Sequence, residues 1–327
     1  MASLRIGLAL GGGAARGFAH IGVLRALIDA GIVPHVVAGT SIGAVVGGAH
    51  VADRLDELEE FARSLTPRKV FGFFDFNMSG SGLINGQKLA DALDAQLDGL
   101  LIENLARPFT AVATEIGTGH EVWLSRGRMT EAIRASYAIP GIFKPVRING
   151  RWLFDGALVN PIPVTACRAL GANYVIAVNL NADLFSLGTV LADISAPANR
   201  APVEPEPTQK PAARGREWSA MQLLQRQMFG RPKGAAVDDV APSISTVMVD
   251  AFNIVHERIA RSRLAGDPPD ALISPRLGQI GLFDFHRADE LIERGALAAR
   301  RALDDVRHDL DLPRSGAMTV ATQASQF

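Results

Sequence analysis

A single cysteine, Cys167, stands among 327 residues. One thiol can build neither an internal disulfide nor a cysteine-based metal cluster, and Cys167 reads as a core residue. Charge of one sign is missing too: 33 Lys and Arg meet 34 Asp and Glu, for a net charge of −1. Nothing global therefore favours nucleic acid or an anionic surface. No stretch approaches the ~20 apolar residues that span a bilayer. The N-terminus has the outline of a signal peptide, with Arg5 ahead of Ile6 to Leu10, but glycines cut the run short and it serves better as a first strand. The expected location is cytoplasmic. What is plentiful is hydrophobic side chain, 48% of the residues. That supplies a sizeable core for one large domain or two ordinary ones.

The local pattern is that of an α/β protein. Arg5 to Leu10 reads as a buried strand, followed by a glycine-rich loop. A helix then runs from about Phe18 to Ala30, with Ile21, Leu24, Leu27 and Ile28 on one face and Gly31 as its C-cap. Val36 to Ala38 is a second buried strand, and a helix follows at Ala44. Strand, loop, helix, strand, turn, helix is a parallel α/β opening. Downstream, Arg54 to Leu65 has the stripe of an amphipathic helix. Gln87 to Leu97 and Arg128 to Tyr137 also suit helices. Phe109 to Thr114 and Val122 to Leu124 suit strands. Val146 to Phe154 reads as a hairpin around Asn149-Gly150, a strong type I′ turn signal. A helix from Val164 to Leu170 leads into a buried strand from Tyr174 to Asn179. Helices from Ile244 to Leu264 and Ala288 to Arg307, with a short strand at Leu272 to Ser274, close the fold.

Two stretches do not fit that core. Five prolines fall between Ala196 and Arg214, which suits a mobile insert. The chain thus divides into a first part of the core (1–183), an insert that is disordered in part or forms a lid (184–240), a helical completion (241–310) and a disordered tail (311–327). The run Phe71-Gly72-Phe73-Phe74-Asp75-Phe76 suits either a loop folded back on the core or an acyl-pocket wall or membrane-facing lip. The segment around Trp218 has helical spacing that suits docking on the core, an interfacial helix or a lid. Both leave peripheral contact with the inner membrane face open.

Chemistry enters at Gly39-Thr40-Ser41-Ile42-Gly43. This G-x-S-x-G stretch reads as a nucleophile elbow, a tight strand-to-helix turn that lifts a serine hydroxyl clear of the sheet. Gly39 and Gly43 let the backbone turn without a Cβ clash. The pentapeptide alone is common; its strand-turn-helix setting and two further motifs give it weight. One is Gly11-Gly12-Gly13-Ala14-Ala15-Arg16-Gly17. As a phosphate loop it lacks the lysine, since Phe18 follows Gly17. As a dinucleotide fingerprint it has Arg16 where the last glycine belongs. An oxyanion cradle of exposed backbone amides remains, with Arg16 pinning the loop through carbonyl or carboxylate contacts. The other motif is Asp155-Gly156, a turn at a strand end that takes on meaning beside the elbow.

In this order the motifs resemble those of bacterial patatin-like phospholipases, in the branch related to the neuropathy-target-esterase catalytic domain. The carrying residues are Gly11 to Leu24, Gly39 to Ala44 and Asp155 to Ala157. The likeness covers roughly residues 5–180 and 244–305, and not the proline-rich insert. It implies a three-layer αβα fold with a central, mostly parallel sheet. It also implies a Ser-Asp dyad, with Ser41 as nucleophile and Asp155 as base. The oxyanion loop maps onto Gly12, Gly13 and Ala14, and Arg16 and Gly17 close the motif. Glycine is usual where Ala14 stands, and alanine fits there if its φ is negative.

The implied activity is hydrolysis of fatty-acyl esters of phospholipids or lysophospholipids through an acyl-enzyme, with no metal or cofactor. A free aspartate, with a pKa of about 3.9, is a poor base for serine unless burial raises it. An α/β-hydrolase triad would instead need a histidine after Asp155. Of His256, His286 and His308, His286 at a helix start is the best placed by sequence. A third reading is a non-catalytic lipid-binding or regulatory protein on the same fold.

Overall fold

The structure, a computed structural model, describes residues 3–73, 91, 95–97, 99–183 and 244–311. The chain separates into a large unit, Met1–Leu184 with Asp250–Phe327, and a small one, Phe185–Val249. Of the small unit only the helical residues from Ile244 onward are described.

Eight strands form one sheet: β1 (Ile6–Leu10), β2 (Val36–Thr40), β3 (Phe109–Glu115), β4 (Glu121–Leu124), β5 (Val146–Ile148), β6 (Arg151–Asp155), β7 (Tyr174–Val178) and β8 (Ala271–Ile273). The order is β5-β6-β3-β2-β1-β7-β8, with β4 paired to β3. From β3 through β8 the pairs are parallel, while β4, β5 and β6 pair antiparallel. β1, β2 and β7 are buried at every residue, as strands covered on both faces must be.

Eight helices are described: α1 (Ala19–Asp29), α2 (Ile42–Val51), α3 (Leu55–Arg63), α4 (Pro67–Phe73), α5 (Met129–Tyr137), α6 (Val164–Ala169), α7 (Ile244–Gly266) and α8 (Ala288–Asp309). Alternation along the strands sorts them into layers. Ala9, Val36, Ala38, Val175 and Ala177 pack with α6 and with Ala260 of α7. Leu10 and Val37, pointing the other way, meet α2 at Gly47. The layers are therefore helix, sheet, helix, as the sequence implies. Cys167 lies in the first cluster, and burial pushes its thiol up to about 12, so it is an inert core side chain.

The hairpin turn has the expected hand, with φ of 48° at Asn149 and 83° at Gly150. One element differs. The phenylalanine run is helical at its start, since α4 extends to Phe73. Its remainder, the proline-rich insert, the Trp218 segment, most of the Gln87 helix and the tail lie outside the described residues. No helix among the described residues is long and apolar enough to cross a membrane.

Strand order places the candidate site. Chain order runs from β1 to β2 to β3 on one side of β1, and to β7 and β8 on the other. In open α/β sheets the crevice at the carboxyl ends beside such a reversal is where ligands bind. The glycine loop leaves β1 there and Ser41 leaves β2 there.

Candidate active site

Two strands share one edge of β3. Val37 N–H donates to the Pro108 carbonyl, and Ile116 N–H donates to that of Trp152. Residues an even number apart on a strand present backbone groups to the same edge, so β2 and β6 lie on one side of β3. Glu115 N–H, of opposite parity, bonds His120 on the β4 side. β2 ends where Thr40 pairs with Val112, and β6 ends where Asp155 pairs with Ala113. The carboxyl ends of two strands meet at consecutive residues of a third. That brings the side chains of 41 and 155 together across 114 residues of sequence, with Ser41 Oγ donating to Asp155 Oδ2 at 2.6 Å.

Ser41 occupies a sharp turn, with φ 57° and ψ −126°. A non-glycine residue there stores roughly 1–3 kcal/mol of strain. The flanking glycines meet the close approach instead. A Cβ on Gly39 would lie 2.4 Å from the Gly43 carbonyl oxygen, and one on Gly43 2.1 Å from that of Leu10. The turn has an anchor that sequence reasoning missed. Ser41 N–H donates to Ser136 Oγ at 2.9 Å, and that hydroxyl donates to the Val112 carbonyl at 2.6 Å. Val112 sits at the junction along β3 where β2 and β6 both end, and Ser136 satisfies the carbonyl left there. Ser136→Ala should leave two buried backbone groups unpartnered and cost about 2–4 kcal/mol. An unchanged denaturant midpoint would show that the hydroxyl is dispensable.

Asp155 is fully buried. Its Oδ1 accepts from Ala157 N–H at 2.8 Å, and Thr114 Oγ1 donates to its carbonyl at 2.9 Å. Burial pushes its pKa up from 3.8 to about 7, while the hydrogen bonds from Ser41 and Ala157 pull it back. Gly156 is required by packing, because a Cβ would lie 2.3 Å from the Val112 carbonyl oxygen.

The glycine loop corrects two expectations. The Gly12 amide donates to the Pro161 carbonyl at 3.1 Å, so it is occupied. Gly13 and Ala14 have amides with no hydrogen-bond partner among the described residues. Ala14 has φ 47°, in the left-handed region and not the negative φ expected of alanine. Its Cβ costs roughly 1–2 kcal/mol there, which is the physical reason glycine suits the position. Arg16 pins the loop as expected. Its Nε donates to the Ile280 carbonyl at 2.9 Å and its Nη1 to Asn181 Oδ1 at 3.1 Å. Burial lowers its pKa to about 10, with Asp183 and Asp284 opposing, so it stays charged at neutral pH. Gly17 lets α2 approach, since a Cβ would lie 2.2 Å from Ile42. His20 is a buried structural residue, its Nε2 2.7 Å from the Gly11 carbonyl.

Ser41 lines a cavity of about 310 Å³ beside α2 and α3. Its walls are apolar, with Phe18, Val45, Leu58, Phe61, Tyr137 and Phe143 among them. His286, the triad candidate, is exposed and lines no part of it. The histidine near Ser41 is His256 on α7, which lies off the cavity wall, across Gly12: a Cβ on Gly12 would stand 3.4 Å from both His256 Cε1 and Ser41 Cβ. No local signal marks His256, Asn181 or Ser136, because each reaches the site through long-range packing.

The profile of the patatin-like phospholipases matches residues 8–168. An uncharacterized NTE family protein of Mycobacterium tuberculosis is 35% identical over 97% of this chain and 96% of its own length. Lysophospholipase NTE1 of Coccidioides immitis is 25% identical over 94% of this chain, which spans 18% of that protein. Among solved structures, VipD from Legionella pneumophila aligns with a TM-score of 0.46 and 12% identity over 92% of this chain and 67% of its own.

Proposed function

The chain belongs to the patatin-like phospholipase family, in its NTE branch, and from that premise we propose that it is a serine hydrolase of fatty-acyl esters of lysophospholipids and phospholipids. The observation that carries this reading is the buried 2.6 Å contact between Ser41 Oγ and Asp155 Oδ2 at the wall of an apolar cavity. Ser41 acts as the nucleophile of an elbow, and Asp155 as the base. Asp155 accepts the hydroxyl proton as Ser41 Oγ attacks the acyl carbonyl. The amides of Gly13 and Ala14 hold the oxyanion. Asp155 then returns the proton to the departing alcohol, leaving an acyl-serine. Water, deprotonated by Asp155, attacks that ester, and Asp155 returns the proton to Ser41 Oγ as the fatty acid is released. A base near pKa 7 is matched to neutral pH, where a free aspartate is far too weak. The cavity suits an acyl chain, since pockets that enclose small apolar ligands begin near 300 Å³. The Coccidioides relative, named a lysophospholipase, supports the single-chain substrate.

A fluorophosphonate probe followed by peptide mapping tests the nucleophile. Labelling should fall on Ser41, and a wild-type protein that takes no label is the non-catalytic lipid-binding alternative. The base makes its own prediction. It works only when ionised, so kcat/KM on a 1-acyl lysophospholipid should drop about tenfold per pH unit below a midpoint near 7. A profile flat down to pH 5 would remove Asp155 from that role.

A further inference from the structure

His256 is 3% exposed, and the reaction above does not use it. Its protonation state follows from a chain of contacts. Arg16 is a donor only, so the Asn181 atom 3.1 Å from its Nη1 is the amide oxygen. The other amide atom, Nδ2, therefore faces the Gly12 carbonyl at 3.2 Å and His256 Nδ1 at 3.0 Å. A carbonyl accepts only, which agrees with that orientation. Asn181 Nδ2 thus donates to His256 Nδ1, which carries no proton. A neutral ring must then carry its proton on Nε2.

Nε2 has no hydrogen-bond partner among the described residues. A Cβ on Gly12 would stand 3.5 Å from it and 3.4 Å from Ser41 Cβ. The free N–H edge and the nucleophile therefore flank the same α-carbon of the glycine loop. We propose that His256 Nε2–H is a side-chain donor to the oxyanion formed when Ser41 attacks an acyl ester. It replaces the donor that Gly12 gives to Pro161. The inference rests on the hydrolase reading above. Burial, joined by the charge of Arg16, lowers the His256 pKa to about 4. The ring is neutral wherever Asp155 is ionised, and it donates a hydrogen bond without transferring a proton. Arg16 and Asn181 are positioning residues, since they act by fixing the tautomer.

The test uses the full chain. With a soluble acyl ester, His256→Phe should lower kcat by about 10²-fold, with KM within about threefold and the acid limb of the pH profile unmoved. His256→Gln, whose amide reaches toward the Nε2 position, should recover at least tenfold. A trifluoromethyl ketone, which forms an oxyanion-bearing adduct on serine, should lose affinity for His256→Phe in proportion to the loss in kcat/KM. A purely structural histidine would instead move KM and analogue affinity together or lower thermal stability alone. Should His256→Phe fail to fold, His256→Asn serves, since its amide reaches the Asn181 side and stops short of the Nε2 position. Turnover within threefold of wild type in either variant overturns the proposal. Nitrogen-15 NMR reads the tautomer independently of activity. At pH 7 Nε2 should be protonated and Nδ1 bare, and the reverse tautomer or an imidazolium also overturns it. A wild-type protein with neither turnover nor fluorophosphonate labelling defeats the hydrolase reading itself. Turnover in wild type that survives loss of the imidazole defeats the His256 assignment alone.

Discussion

Asp155→Asn should abolish ester hydrolysis, by about 10⁴-fold or more, and at alkaline pH should make the folded protein more stable. The amide keeps the shape of the carboxylate and can still meet Ser41, but it cannot take a proton. The stability gain follows from the same burial that raises the Asp155 pKa. Unfolded, the carboxyl ionises near 3.8; folded, near 7. Between those values the folded state holds the extra proton. Its contribution to stability is complete below 3.8 and lost as pH rises through about 7. At pH 8.5 the wild type therefore keeps a costly buried charge that the variant lacks. At about 1.4 kcal/mol per pKa unit, the difference between 3.8 and about 7 caps the gain at roughly 4 kcal/mol. Thermal melts at pH 5 and pH 8.5 check this. The advantage of the variant should grow with pH, and a variant less stable than wild type at pH 8.5 would refute the burial penalty.

Gly295→Ala should be as damaging to the fold as Asp155→Asn is to activity. Helices α1 and α8 cross so closely that a Cβ on Gly295 would lie 1.9 Å from the Ala19 carbonyl oxygen, and one on Gly22 1.8 Å from that of Ile292. Both obstacles are backbone, so neither can swing aside and the helices must separate. Overpacking that forces backbone movement costs about 3 kcal/mol or more. Either alanine variant should lose that much by urea denaturation or fail to accumulate in soluble form. Gly117→Ala is the control. Its φ is 90° and nothing lies within 4 Å of an added Cβ, so it should cost only about 1–2 kcal/mol of backbone strain. Equal losses at Gly295 and Gly117 would mean that the helix crossing is not as tight as described.

Much of this protein was open to reading from the chain alone, and the reason is distance along it. The apolar runs of β1, β2 and β7, the stripe of α1, the Asn149-Gly150 turn and the Gly39 to Gly43 motif are short-range patterns. A few neighbouring residues set them through backbone sterics and the period of each element. The phenylalanine run misled at its start, because α4 continues into it as a helix. Ala14 misled because its neighbours do not reveal the sign of φ; the loop's tie to Leu282 through the adjacent Ala15 amide holds it in place.

Sequence by itself determined a buried, mostly parallel sheet, a serine on a tight turn and a small-residue loop nearby, because local geometry leaves few other uses for those residues. Which carboxylate meets the serine was settled by strand pairing, where β2 and β6 end head to head along β3. The same packing consumed the Gly12 amide, set Ser136 beneath Ser41 and placed His256, not His286, across Gly12 from it. Hydrogen bonds in a buried site belong to whichever groups the folded backbone brings within about 3 Å, and linear spacing carries no record of that.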